Sequence, residues 1–349
     1  MNENARRAAE LIRSYDGRPL RIMEVCGTHT HEIFRLGIRG MLPEGLRLIS
    51  GPGCPVCVTP VGYIDEALFL ALERGCTVCT FGDLVRVPGT SGSLASARTE
   101  GARVQMVYSP IDAQGYAEAH PDEQVVFLSV GFETTTPASC IAVRNAKGRG
   151  LANFSLLTAN KTMDNAYRAL KGSADAFLYP GHVSTMTGTA IYRELLGEGV
   201  SGVVAGFTAS ELLAALAVIV RMSERGEPFF VNCYPRVVSD EGSVPARRIV
   251  SEMMEPVDSE WRGLGVIAGS GLRLKDGFAD FDARVKYDVP TIEGRANPGC
   301  RCGDVLQGKI SPNACPLFGT ACTPEHPVGA CMVSSEGACS AFFKYDISR

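Results

Sequence analysis

The chain has 349 residues, 45% of them hydrophobic and 21% charged, with a formal net charge of -4. This composition can build substantial cores in two or three domains, and its slightly acidic balance provides no basic field for nucleic acid or an anionic membrane. The longest apolar stretch, residues 212–220, is too short to cross a bilayer, and the N-terminal MNENARRAAELIRSYDG lacks an apolar signal core. The expected location is the cytoplasm, with neither membrane nor nucleic acid as partner.

Punctuated apolar runs predict strands at 21–25, 46–50, 77–81 and 104–108, then at 125–130, 154–158, 176–179 and 203–207. Successive runs begin 21 to 31 residues apart, leaving room for one crossover helix in each gap. Helical stretches fit at 63–74, 165–171 and 210–222. This is the rhythm of βαβ units. The expected fold class is α/β, with two similar parallel-sheet lobes facing a cleft at residues 1–120 and 121–239. Residues 240–349 follow as a connecting segment and a small cysteine-rich domain. There the pattern loosens to a helix at 246–254, a short strand at 265–268 and turn-rich sequence from 297 onward.

Chemistry-bearing residues recur just after the predicted strands: Cys26, Cys54, Asp83, Glu133, Asn160 and Lys161, His182 and Thr208. In open α/β sheets the ligand site lies outside the carboxyl ends of the strands. Turn-forming residues are expected there in any case, which accounts equally well for Asn160 and Thr208. Cysteine is no turn former, so Cys26 and Cys54 carry more weight.

Thirteen cysteines, six of them between 300 and 339, are unusual in a chain without an export signal. Structural disulfides would be reduced in the cytoplasm, so the density points to metal or redox chemistry. Cys54 and Cys57, in GPGCPVC, are spaced to close a disulfide or to supply half of a metal site. Cys26 sits at a strand end beside a probable helix N-terminus and His29, a setting that favours a thiolate able to bind a soft metal or attack an electrophile. A hydrolase-type pairing of Cys26 with His29 or His182 fits too, as does simple packing. The tail spacing C-x-C-x12-C-x6-C-x8-C-x7-C matches no zinc finger and no bacterial ferredoxin run. Its six thiols suit a four-thiolate iron–sulfur cluster plus two more, with structural zinc or free thiols as alternatives. Burial as small apolar side chains accounts for Cys76, Cys79, Cys140 and Cys233.

The blocks MEVCGTHTHEI, SGPGCPVCVTP, FGDLVRVPG, VGFETTTPA, YPGHVS and the tail beginning NPGCRCGD occur in order along nearly the whole chain. Together they resemble the hydrogenase maturation factor HypD family. The resemblance implies two α/β lobes plus a cluster domain. It also implies a role in building the Fe(CN)2CO group of [NiFe]-hydrogenases, with a small HypC-type chaperone and a HypE-type cyanide donor as partners. Carried over residue by residue, it makes Cys26 the thiol that holds the transient Fe(CN)2CO iron and Cys54/Cys57 a redox dithiol. Cys300, Cys315, Cys322 and Cys339 become ligands of a [4Fe-4S] cluster, and Cys302/Cys331 a second redox pair beside it. His29, Asp83, Glu133 and His182 would surround the iron. Two rivals remain: an iron–sulfur disulfide reductase acting on a diffusible substrate, and a zinc-stapled structural scaffold.

Overall fold

The computed structural model describes residues 3–345. Its strands in chain order are β1 (Leu20–Glu24), β2 (Leu46–Ser50), β3 (Thr77–Thr80), β4 (Val104–Met106), β5 (Val125–Gly131), β6 (Phe154–Asn160), β7 (Ala176–Pro180), β8 (Gly202–Ala205), β9 (Phe230–Asn232), β10 (Met254–Trp261) and β11 (Gly265–Leu274). Every residue of β5 is buried, as are those of β3, β7 and β8. Strands covered by helices on both faces read as unbroken apolar runs, which is why the sequence announced them. The eight predicted strands lie at or within a few residues of β1 to β8.

Pairing among these strands is parallel within two sheets, of order β2-β1-β7-β8-β9 and β4-β3-β5-β6. The architecture is α/β with two lobes, but the lobes do not divide at residue 120. β1 and β2 share a sheet with β7, β8 and β9, whereas β3 to β6 form the other. The chain enters the second lobe after β2 and leaves it after β6. Hydrophobic periodicity reports that strands and helices alternate; it does not say which strands pair, because pairing is decided by long-range packing.

Each sheet has a point where successive connections run in opposite directions, between β1 and β7 in the first and between β3 and β5 in the second. Cys26 and His182 follow β1 and β7; Asp83 and Glu133 follow β3 and β5. Ligand crevices form at such switch points.

β10 and β11 form an antiparallel hairpin, of which only 265–268 was expected as strand. Its alternating burial and the charged residues of β10 conceal it from a search for apolar runs. The cysteine-rich tail has only short helices, among them Cys302–Leu306, Ala330–Val333 and Ala338–Tyr345. It docks on the helix Gly27–Arg35: Phe34 and Phe342 meet edge-on at 5.4 Å, and His31 Nδ1 lies 3.2 Å from the Ser335 carbonyl oxygen. No helix among the described residues is long and apolar enough to cross a membrane.

Candidate functional site

Cys26 is the N-cap of the helix Gly27–Arg35, with extended backbone at φ -152° and ψ 124°. The register of β1 against β7 pairs Glu24 with Leu178, so the turns that follow the two strands are neighbours. The Cys26 Sγ consequently lies 3.6 Å from Nε2 of His182, which opens the helix Gly181–Thr187. Burial pushes the Cys26 thiol up to about 12, although the backbone N–H groups of His29 and Thr28 face the sulfur and favour the anion. Burial also lowers the His182 pKa, leaving the ring neutral and able to accept a proton.

His29 does not reach Cys26 with its ring. Its Nε2 lies 3.0 Å from the Gly206 carbonyl oxygen, and burial drops its pKa to about 3. The His29 and His182 rings both pack on Phe207, each with a centroid separation of 4.7 Å. Thus His29 braces the wall on which His182 leans.

The turn bearing Cys54 closes over the same site. Gly27 N–H donates to the Gly53 carbonyl at 3.2 Å. A Cβ on Gly53 would sit 2.1 Å from the Cys26 nitrogen, so only glycine lets the two thiol loops approach. Cys54 caps the short helix Pro55–Val58, its sulfur accepting the Cys57 N–H at 3.4 Å. Behind Cys57 lies the tail. The Cys57 thiol lies 3.9 Å from the Ala330 carbonyl and interacts with the neighbouring Cys331 thiol, and the Cys331 and Cys302 sulfurs are 2.7 Å apart. A hydrogen bond from Cys331 favours the Cys57 thiolate, but the adjoining Cys54 thiol and burial outweigh it and hold the Cys57 pKa well above its ordinary value. Cys54, Cys57, Cys331 and Cys302 therefore form one continuous file.

At the end of that file, all six tail cysteines, Cys300, Cys302, Cys315, Cys322, Cys331 and Cys339, line a single small cavity with Val305, Leu317, Phe318 and Met332. Burial, and then the neighbouring thiols, push the Cys339 pKa well up. Thiolates facing one apolar cavity repel one another unless positive charge lies between them, so this donor set fits a polynuclear iron–sulfur group. Among the described residues no three His, Cys, Asp or Glu side chains close on one point as ligands of a single ion do.

The sequence pattern described as "Hydrogenase formation hypA family", HypD, matches residues 3–346. The chain belongs to the HypD family. It is 44% identical over 358 residues to a hydrogenase maturation factor HypD of Cupriavidus necator, covering 98% of this chain and 94% of that protein. The Escherichia coli protein of the same name is 43% identical over 349 residues, with the same coverage. A putative hydrogenase expression/formation protein of Methanocaldococcus jannaschii is 41% identical over 330 residues, 93% of this chain and 92% of that protein.

Two predicted site residues of this HypD-family chain stand apart from Cys26. Asp83 lies on the turn Gly82–Arg86, which packs against Ala330–Val333 on the Cys331 side. Glu133 accepts the Met163 N–H through Oε1 at 2.8 Å and lines an apolar cavity of about 570 Å³, to which Val183 and Met186 also contribute. Burial raises its pKa to about 7, and its buried Oε2 has no hydrogen-bond partner. Neither makes any of the contacts around Cys26.

Sequence reasoning passed over two carboxylates that do belong there. Glu336 accepts the Thr28 hydroxyl at 2.7 Å, and its charge acts on both Cys26 and His182. Its signal was present: it is the one acidic residue between Cys331 and Cys339. Glu24, wholly buried two residues before Cys26, accepts from Thr30 at 2.5 Å and from Ser50 at 3.2 Å, and pairs with Arg39. It ties β1, β2 and the Cys26 helix together. Nothing in its sequence neighbourhood distinguishes a buried glutamate at a strand end from an exposed one.

Proposed function

We propose that this hydrogenase maturation factor is the scaffold on which iron receives its CN and CO ligands, and that its own thiols deliver the electrons consumed in that assembly. The carrying observation is the continuous file Cys54, Cys57, Cys331, Cys302, running from beside the Cys26 turn into the cavity that all six tail cysteines line.

Cys26 is the residue proposed to hold the iron substrate. Its thiol must lose a proton on ligation, and the neutral His182 ring at 3.6 Å is placed to take it. Thiolate is a soft donor, suited to iron that carries strong-field ligands. Electrons reach the Cys26 turn by thiol–disulfide exchange along the file. Cys331 as thiolate attacks Cys57 of a Cys54–Cys57 disulfide, releasing the Cys54 thiolate. Cys302 then attacks Cys331, forming the Cys302–Cys331 disulfide and releasing Cys57. Two electrons have moved toward the iron, and each sulfur attacked is a neighbour of its attacker. A [4Fe-4S] cluster on Cys300, Cys315, Cys322 and Cys339 supplies one-electron chemistry beside the Cys302/Cys331 pair when bound. The partners proposed are a small HypC-type chaperone and a HypE-type cyanide donor, meeting the chain at Thr28, Gly53 and Pro55, the half-buried residues of the Cys26 and Cys54 turns.

Anaerobic purification followed by iron, sulfide and infrared analysis tests this reading. Expected are a [4Fe-4S] stoichiometry and, after co-expression with the partners, infrared bands of bound CN and CO. A colourless protein without iron would sink it, and steady turnover of a small disulfide without any partner would favour a reductase instead.

A further inference from the structure

Cys300 and Cys302 also line a groove of about 1000 Å³ on the outer side of the tail. Its walls come from residues 88–93, 295–298 and 325–329, and its floor includes Gly263, Gly303 and Gly329. A Cβ on Gly329 would lie 2.8 Å from the Cys300 sulfur and 3.9 Å from Cβ of Cys302. Glycine here leaves only bare backbone beside the Cys300 sulfur at the groove. Cys302 is the one member of the thiol file that lines it.

The groove carries a concentrated positive charge. Arg86, Arg262 and Arg295 line it, against Glu325 as its one carboxylate. Among the described residues the ion pairs engage other arginines, and none engages these three. The guanidinium of Arg262 donates to the carbonyls of Thr59 and Pro88, at 2.7 and 3.2 Å, and that of Arg86 to the carbonyl of Pro324 at 2.9 Å. Those bonds orient the charges without neutralising them. Arg86 and Arg295 are exposed. In a chain of net charge -4 such a patch selects an anionic partner locally.

We propose that this groove is the docking surface for an acidic one-electron carrier protein that reduces the chain through its Cys300 edge. The inference rests on the cluster reading above and adds the partner and its place of entry. Two successive encounters, each oxidising one reduced carrier, supply two electrons. With two protons from solvent these convert a Cys302–Cys331 disulfide into two thiols.

The test uses the anaerobically purified full chain, an acidic [2Fe-2S] carrier protein as probe, and the double variant Arg86→Glu/Arg295→Glu, which lies outside the thiol file. Calorimetry with the oxidised carrier reads docking whether or not a cluster is present, and iron and sulfide analysis of the same sample reads the cluster separately. Expected is saturable binding that weakens with salt, and a loss of about tenfold or more in affinity and in the rate of chain reduction in the variant. Reduction by a neutral photogenerated flavin radical should be unchanged. Equal carrier binding and equal rates in wild type and variant would overturn the proposal. So would displacement of the carrier by stoichiometric inorganic phosphate, which would make the groove a small-anion site.

Discussion

Cys26 and His182 stand 3.6 Å apart at the ends of adjacent parallel strands from which the chain departs in opposite directions. Neither residue is near the other in sequence: Cys26 is the N-cap of the helix Gly27–Arg35, and His182 is the second residue of the helix Gly181–Thr187. The thiol is thereby held at a fixed point in the first lobe, while Cys54 arrives at the same point on the segment that crosses into the second. The crossing of the chain between lobes and the convergence of the thiols are one topological event.

If electrons pass along the file, Cys331 is the link that cannot be bypassed, because it touches both Cys57 and Cys302. Cys331→Ala removes one buried sulfur, costing on the order of 1 kcal/mol, so the fold survives. Alkylation and mass spectrometry after adding a reductant of the tail should find Cys54 and Cys57 labelled in the wild type and at least about tenfold more slowly in the variant. The visible absorption of the tail should persist. Equal labelling rates would show that the added reductant reduces the Cys54–Cys57 pair directly, without passing through Cys331.

Glu24 supports the Cys26 turn through an ion pair to Arg39 and hydroxyl donors on Thr30 and Ser50. Glu24→Gln keeps the shape but leaves the Arg39 cation facing a neutral amide. Arg39 is partly exposed, which places the cost near the lower end for a broken buried pair, about 3 kcal/mol. Denaturant unfolding should show it, and Glu24→Gln combined with Arg39→Met should recover part of it. A loss below about 0.5 kcal/mol would mean that solvent already screens the pair.

The runs that make β1 to β8 were legible because doubly covered parallel strands are apolar throughout. β10 was not, because Glu255, Asp258 and Glu260 break any apolar run and only its ends, Met254 and Trp261, are buried. At the site, Cys26, Cys54 and His182 stood out from their places after strands, and Cys57 from its spacing to Cys54. The file through Cys331 was not, since it depends on a tail that folds back onto the helix Pro55–Val58. His29 looked like a base and proved to be a buried brace, a distinction set by the Gly206 carbonyl and Phe207, both far away in sequence.

Glu133 should give the protein a measurable pH signature. Its carboxyl titrates near 7 in the folded chain, against 4.5 as its ordinary value. Between those two pH values the folded state keeps a proton that the unfolded state has lost. That contribution to stability is complete below about 4.5 and disappears as pH rises through about 7, amounting to at most about 3 kcal/mol. Glu133→Gln should abolish this component of the fall between pH 5 and 7.5 in denaturant titrations. A variant that declined as steeply as wild type would place the titrating group elsewhere.

Cys26→Ser is the most direct test of where the iron substrate is held. A serine hydroxyl has far too high a pKa to become an anionic ligand at neutral pH, and its oxygen is a hard donor poorly matched to iron that must retain CO. Oxygen is slightly smaller than sulfur, and the side chain makes no bond on which the N-cap depends, so the helix Gly27–Arg35 should keep its place. Infrared bands of bound CN and CO should vanish in Cys26→Ser while the absorption of the proposed tail cluster stays unchanged. Cys54→Ser should behave differently: iron still binds at Cys26, but the two-electron step stalls and the cyanide bands weaken or fail to appear. Bands at wild-type intensity in Cys26→Ser would move the iron to another thiol, and Cys54, on the turn bonded to Gly27, is the next residue in reach.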